Sequence, residues 1–105
     1  MASQREEIEE ILVDASGEYE QMTAWEYAFT EVVTVPFQAS LLGVYIEVKG
    51  FQISEADMLQ CSVAHKQKQG QRQRWISVEE LDDEMLPEDF GHLLLLYRAW
   101  LKGNY

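Results

Sequence analysis

The chain predicts an α+β fold in one domain: an N-terminal helix, a small antiparallel β-sheet or SH3-like barrel of three to five strands, and a C-terminal helix. Apolar residues recur every three or four positions near both ends, between Ile8 and Phe29 and between Phe90 and Leu101. Between Gly43 and Val78 the spacing changes to alternation, the period of a strand. Hydrophobic residues make up 47% of the 105 positions, so the chain can fill a modest core. No low-complexity stretch or linker divides it.

Ser3 and Glu6 fit a capping box, in which each side chain satisfies a free donor at a helix start. Glu6 and Glu7 suit the positive end of the helix dipole. Ile8, Ile11, Leu12, Ala15, Tyr19, Met22, Trp25 and Phe29 then fall on one face as a buried stripe. Gly17 interrupts it, giving either one helix to about Glu31 or two helices meeting near Gly17.

Val32-Val33-Thr34-Val35 is β-branched, and Pro36 turns Val35 away from helical angles. An extended strand entrance or edge is expected there. Val44, Ile46 and Val48 alternate with Tyr45, Glu47 and Lys49 in the clearest strand, Gly43 to Phe51. A second strand runs from Met58 to His65, with Leu59, Cys61 and Val63 facing the core. Lys66 to Gly70 is a polar turn, Gln71 to Val78 the returning strand, and Ser77 to Leu81 leads off the sheet. Pro87 opens the last helix, Phe90, Leu93, Leu94, Tyr97, Trp100 and Leu101 form its apolar face, and Gly103 ends it.

Charge is distributed unevenly within the net of −11. Residues 1–31 carry nine acids against Arg5, residues 32–78 three acids against five bases, and residues 79–105 seven acids against two bases. This balance argues against nucleic acid as a partner, since binding to it needs a basic footprint. It suits a cation, a basic protein or simple solubility. No apolar run reaches the roughly 18 residues of a membrane span, and the first residues lack an apolar signal core. One cysteine rules out an intramolecular disulfide. The chain reads as cytoplasmic.

No catalytic constellation is apparent. His65 and His92 lie far apart and are expected on the surface, and Cys61 alternates with core positions as an inert thiol. Carboxylates are the remaining chemistry. Calcium takes six to eight oxygens, and two acidic groups have the density to supply some of them: Glu55 with Asp57 between two strands, and Asp82, Asp83 and Glu84 before the last helix. Neither fits an EF-hand loop. The opposite feature is a basic, glutamine-rich hairpin with Lys66, Lys68, Arg72 and Arg74, which could hold an acidic partner or only keep a hairpin tip soluble.

The run I-x-x-I-L-V-D-A-x-x-E-Y-E-Q-M-T-A-W-E-Y, followed by P-F-x-A, resembles the small cyanobacterial calcium-binding protein family. The residues that carry the likeness are Val13, Asp14, Ala15, Glu18, Glu20, Met22, Trp25, Tyr27, Pro36, Phe37 and Ala39. Fainter correspondence continues through Gly43, Val48 and Leu81 to Tyr97, Trp100 and Tyr105. The resemblance implies a compact α+β protein with a barrel-like sheet that binds calcium without an EF-hand. Asp14 and Trp25 then fall where the helix should pack. Two departures stand out: Gly43-Val44 replaces the family's G-D-x-V, and the acidic loop before the next strand retains only Glu55 and Asp57.

Two functions follow as expectations. The first is a non-enzymatic calcium sensor or buffer of modest affinity, with Glu55, Asp57, Asp82, Asp83 and Glu84 as ligands. The second is an acidic interaction or inhibitor module, of the kind phages encode, that keeps the fold without the ion and presents carboxylates in place of phosphates to a protein partner.

Overall fold

Ser3 begins the first helix as expected: its hydroxyl accepts the Glu6 amide at 3.1 Å, and α1 runs Gln4–Ile11. The computed structural model describes residues 3–65, 73–103 and 105. Of the two alternatives at Gly17, the chain takes the break. Gly17 sits at φ +90°, a region that an L side chain rarely adopts, and α2 follows as Glu18–Val32. The elbow rotates the stripe, so Ile8, Met22, Trp25 and Phe29 are buried while Tyr19 is exposed. Asp14 is also exposed, contrary to its expected place in the packing interface, because it lies in the elbow between the helices.

Val32 and Val33 are not a strand entrance. Val32 is the last residue of α2, and Val33 caps it, its amide donating to the Phe29 carbonyl at 3.0 Å. Burial of Val33 in the core outweighs its β-branched preference. The chain turns at the cis Val35–Pro36 peptide into β1, Phe37–Leu41.

The sheet is an antiparallel meander in the order β1-β2-β3-β4, with β2 at Val44–Ile53, β3 at Leu59–Ala64 and β4 at Arg74–Ser77. Leu41 pairs with Val44, so Leu42-Gly43 is a two-residue hairpin turn with both residues at positive φ, the type I′ geometry that matches strand twist. A β-bulge interrupts β2 between Val48 and Gly50. Before it the even-numbered Ile46 and Val48 face the core; after it the odd-numbered Phe51 and Ile53 pack there. One inserted residue moves a period-two pattern to the other face, which explains why Val44-Ile46-Val48 and Phe51-Ile53 are out of phase. Leu59, Cys61 and Val63 are buried, as expected.

A 3-10 turn, Val78–Glu80, follows β4 with Ser77 and Glu80 in a reciprocal capping box. The chain then reaches the outer edge of β1, where the Asp82 amide donates to the Ser40 carbonyl at 2.8 Å. Among the described residues the sheet is thus an open four-stranded meander with β1 and β4 as its edges, and this bond ties the chain that leaves β4 back to β1. Helix α3, Glu88–Lys102, follows Pro87 and ends at Gly103 in the left-handed conformation. Its buried face is Phe90, Leu93, Leu94, Leu96 and Tyr97.

Aromatic rings join the helices to the sheet. Phe29 of α2 lies 5.3 Å from Phe51 of β2 and 5.7 Å from Phe90 of α3. Trp25 meets Tyr97 edge-on at 5.4 Å. The Tyr97 hydroxyl accepts the Leu59 amide at 3.4 Å, tying α3 to the first residue of β3, and burial pushes that phenol's pKa up.

Candidate functional site

The two acidic groups lie at opposite ends of β2. Glu55 and Asp57 are in the turn between β2 and β3, which Ser54 organises: its hydroxyl accepts the Ala56 and Met58 amides at 3.3 and 3.2 Å. Asp57 adopts φ +56°, a conformation aspartate tolerates better than most residues, and its amide donates to the Ser54 carbonyl at 3.0 Å. Both acidic side chains are exposed. Glu26 of α2 reaches the same end of the sheet, where its carboxylate accepts the Ile53 amide at 2.8 Å.

The second group lies against the β1–β2 turn. Asp82 accepts the Ser40 hydroxyl at 2.6 Å and the Leu42 and Gly43 amides at 3.2 and 3.0 Å. The Ser40 hydroxyl first, and the turn amides with it, hold its carboxyl below the usual aspartate range. Three accepted bonds occupy most of the lone pairs of a carboxylate, so Asp82 serves chiefly to fix the turn and the chain that follows it. Asp83 is exposed and bonded to the Arg98 guanidinium at 2.9 Å, and Glu84 is exposed.

The ten residues of β2 separate these turns. At a strand rise of about 3.3 Å per residue they stand about 30 Å apart, whereas calcium–oxygen bonds are about 2.3–2.6 Å. One ion cannot bridge the five carboxylates. Among the described residues, no three His, Cys, Asp or Glu side chains form a group able to hold a metal. Each turn therefore offers oxygen donors of the kind calcium takes, in a number that backbone carbonyls and water would have to complete.

Of the basic hairpin, Arg74 opens β4 and is exposed, while Lys66, Lys68 and Arg72 lie outside the described residues. His92 is on the exposed side of α3, 3.0 Å from the Glu7 carboxylate of α1. Cys61 is fully buried, and burial first, with Glu80 nearby, pushes its thiol pKa up to about 12. Two participants had no sequence signal. Glu26 belongs to the W-E-Y run but reads as an ordinary exposed helix acid, and Ser40 alternates as any polar strand residue would.

A family model described as calcium binding, that of the CcbP proteins, matches residues 6–89. The chain's fold is similar to a solved calcium-binding protein in its calcium-binding form, with a TM-score of 0.77 and 19% identity over 100% of this chain and 98% of that one. It is also similar to the crystal structure of CcbP from Anabaena, with a TM-score of 0.73 and 17% identity over 96% of this chain and 92% of that one. No curated protein matches the sequence. The family model covers most of the chain, from the first turn of α1 to the first turn of α3, and on that extent the chain belongs to the CcbP calcium-binding family.

Proposed function

We propose that this protein is a non-enzymatic calcium sensor or buffer that holds the ion at exposed acidic turns. The observation that carries this reading is the calcium-binding family match over residues 6–89. Two binding positions are proposed, one at Glu55 and Asp57 and one at Asp83 and Glu84, with Asp82 positioning the second through its grip on the β1–β2 turn. Each combines two carboxylates with the carbonyls of its own turn. So few charges in exposed turns favour weak affinity, in the range of about 10⁻⁴–10⁻³ M that low-charge sites show. The buried Cys61 thiol, its pKa pushed up to about 12, is not available as a nucleophile. The compartment proposed is the cytoplasm, on the sequence alone; among the described residues no helix is long and apolar enough to cross a membrane.

Calorimetric titration of metal-stripped protein with calcium, and with magnesium as control, tests the reading. The expected result is saturable calcium heat at millimolar concentration, with a rise in thermal midpoint because the ion binds the native state. Replacing Glu55→Gln with Asp57→Asn, and Asp83→Asn with Glu84→Gln, should each remove one component and leave the other intact. Absence of both heat and stabilisation at several millimolar calcium would sink the proposal.

A further inference from the structure

The face on which the three helices meet is not closed. A groove of about 480 Å³ runs between α1, α2 and α3, floored by apolar side chains that include Ile11, Ala28, Leu93 and Leu96. A second hollow of about 580 Å³ at the α1–α2 elbow shares Ile11, Ala24 and Tyr27 with it, so the two form one continuous surface. Large apolar side chains stand exposed along it: Val13 at 74%, Tyr19 at 73%, Tyr27 at 65% and Val32 at 54%. Exposed apolar side chains that adjoin one another and are rimmed by polar residues are a feature of interaction sites.

Among the described residues that line it, the Asp and Glu side chains are unmatched by any Lys or Arg. Glu7, Glu10, Glu31 and Asp89 line the groove, and Asp14 and Glu20 line the elbow. His92 also lines the groove, and its Nε2 is 3.0 Å from the Glu7 carboxylate.

We propose that this face docks a basic amphipathic helix of another protein. An apolar floor between carboxylates is complementary to a helix with apolar anchors at i, i+3 or i+4, and i+7 flanked by lysine and arginine. Helix α2, at 15 residues, offers a wall about 22 Å long, enough for three to four turns of a partner helix. A second copy of the chain is a poor occupant. Two copies at −11 each repel one another, and none of the three helices is basic. The basic stretch from Lys66 to Arg74 contains no apolar residue to fill the floor. The proposal does not rest on the calcium reading, and either can fail alone.

The test is titration of the full chain with a synthetic 14-residue peptide carrying Leu at i, i+3, i+4 and i+7 and Lys elsewhere, beside a scrambled peptide of the same composition. Tyr27→Ser and the pair Glu10→Lys with Glu31→Lys change exposed side chains, and their thermal midpoints should match the parent protein. Expected are one-to-one binding of the amphipathic peptide, at least tenfold preference over the scrambled one, at least tenfold loss in each variant, and amide shifts confined to the three helices. Equal binding of the scrambled peptide, or affinity unchanged in the variants, would overturn the proposal. So would sedimentation showing a dimer that Tyr27→Ser dissociates, since a second copy would then be the occupant.

Discussion

Ser40 and Asp82 are 42 residues apart in sequence, yet the serine hydroxyl donates to the aspartate carboxylate at 2.6 Å. With the Asp82 amide on the Ser40 carbonyl, this pair joins the outer edge of β1 to the chain that leads into α3. Asp82→Ala should therefore lower the urea midpoint. Because the folded carboxyl is held below its ordinary value of 3.8, the ionised form stabilises the fold above that pH. That contribution is lost as pH falls through the folded-state value. Denaturation at pH 7, 5 and 3 should show the gap between parent and variant narrowing in acid; a gap that widens would contradict the assignment.

Leu42 is the wrong residue for its turn. It lies at φ +51° with its side chain 87% exposed, ahead of Gly43 at φ +79°. Asn-Gly is the preferred pair for this geometry, and a left-handed residue other than Gly or Asn costs about 1 kcal/mol. Leu42→Asn should raise stability by about that amount, a shift of about 4–8 °C in thermal midpoint for a domain near this size.

Phe29 is fully buried and contacts Phe51, Phe90 and Tyr97. Truncation of a buried phenylalanine costs about 3–5 kcal/mol, against about 5–15 kcal/mol of total stability for a domain. Phe29→Ala should consume much of the margin, seen as a large fall in urea midpoint. A loss below 1 kcal/mol would mean that the aromatic cluster is not the centre of the core.

Cys61 should be inert while the protein is folded. Burial and a thiol pKa of about 12 remove both access and thiolate. A thiol-specific reagent at pH 8 should label it only as fast as the chain unfolds, and completely in denaturant. Rapid labelling of native protein would place the thiol at the surface.

The fold was largely legible because its signals are local. The Ser3 cap, the alternation from Leu59 to Val63 and the face from Phe90 to Tyr97 each depend on neighbours a few positions away. What the sequence hides depends on residues brought together from a distance. Val33 became a helix cap because the core accepts it. The inserted residue after Val48 is invisible until β3 fixes the register. The acidic groups were countable in the sequence, but not their roughly 30 Å separation, which needs the length of β2 and the direction of its turns. Nor could Asp82 be told from Asp83: one faces Ser40 and the other Arg98, and only the return of the chain to β1 decides which.

The elbow between Ile11 and Glu18 leaves α1 with eight residues and one fully buried side chain, Ile8. Isolated helices shorter than about 12–15 residues do not persist in water, so α1 is helical only while it is docked. Its amides should exchange through a local opening of lower free energy than global unfolding. Whatever grips Glu7 and Glu10 must hold that opening shut. Occupancy of the helical face would then be readable as slowed hydrogen exchange from Ile8 to Ile11, in a segment the rest of the core scarcely reports.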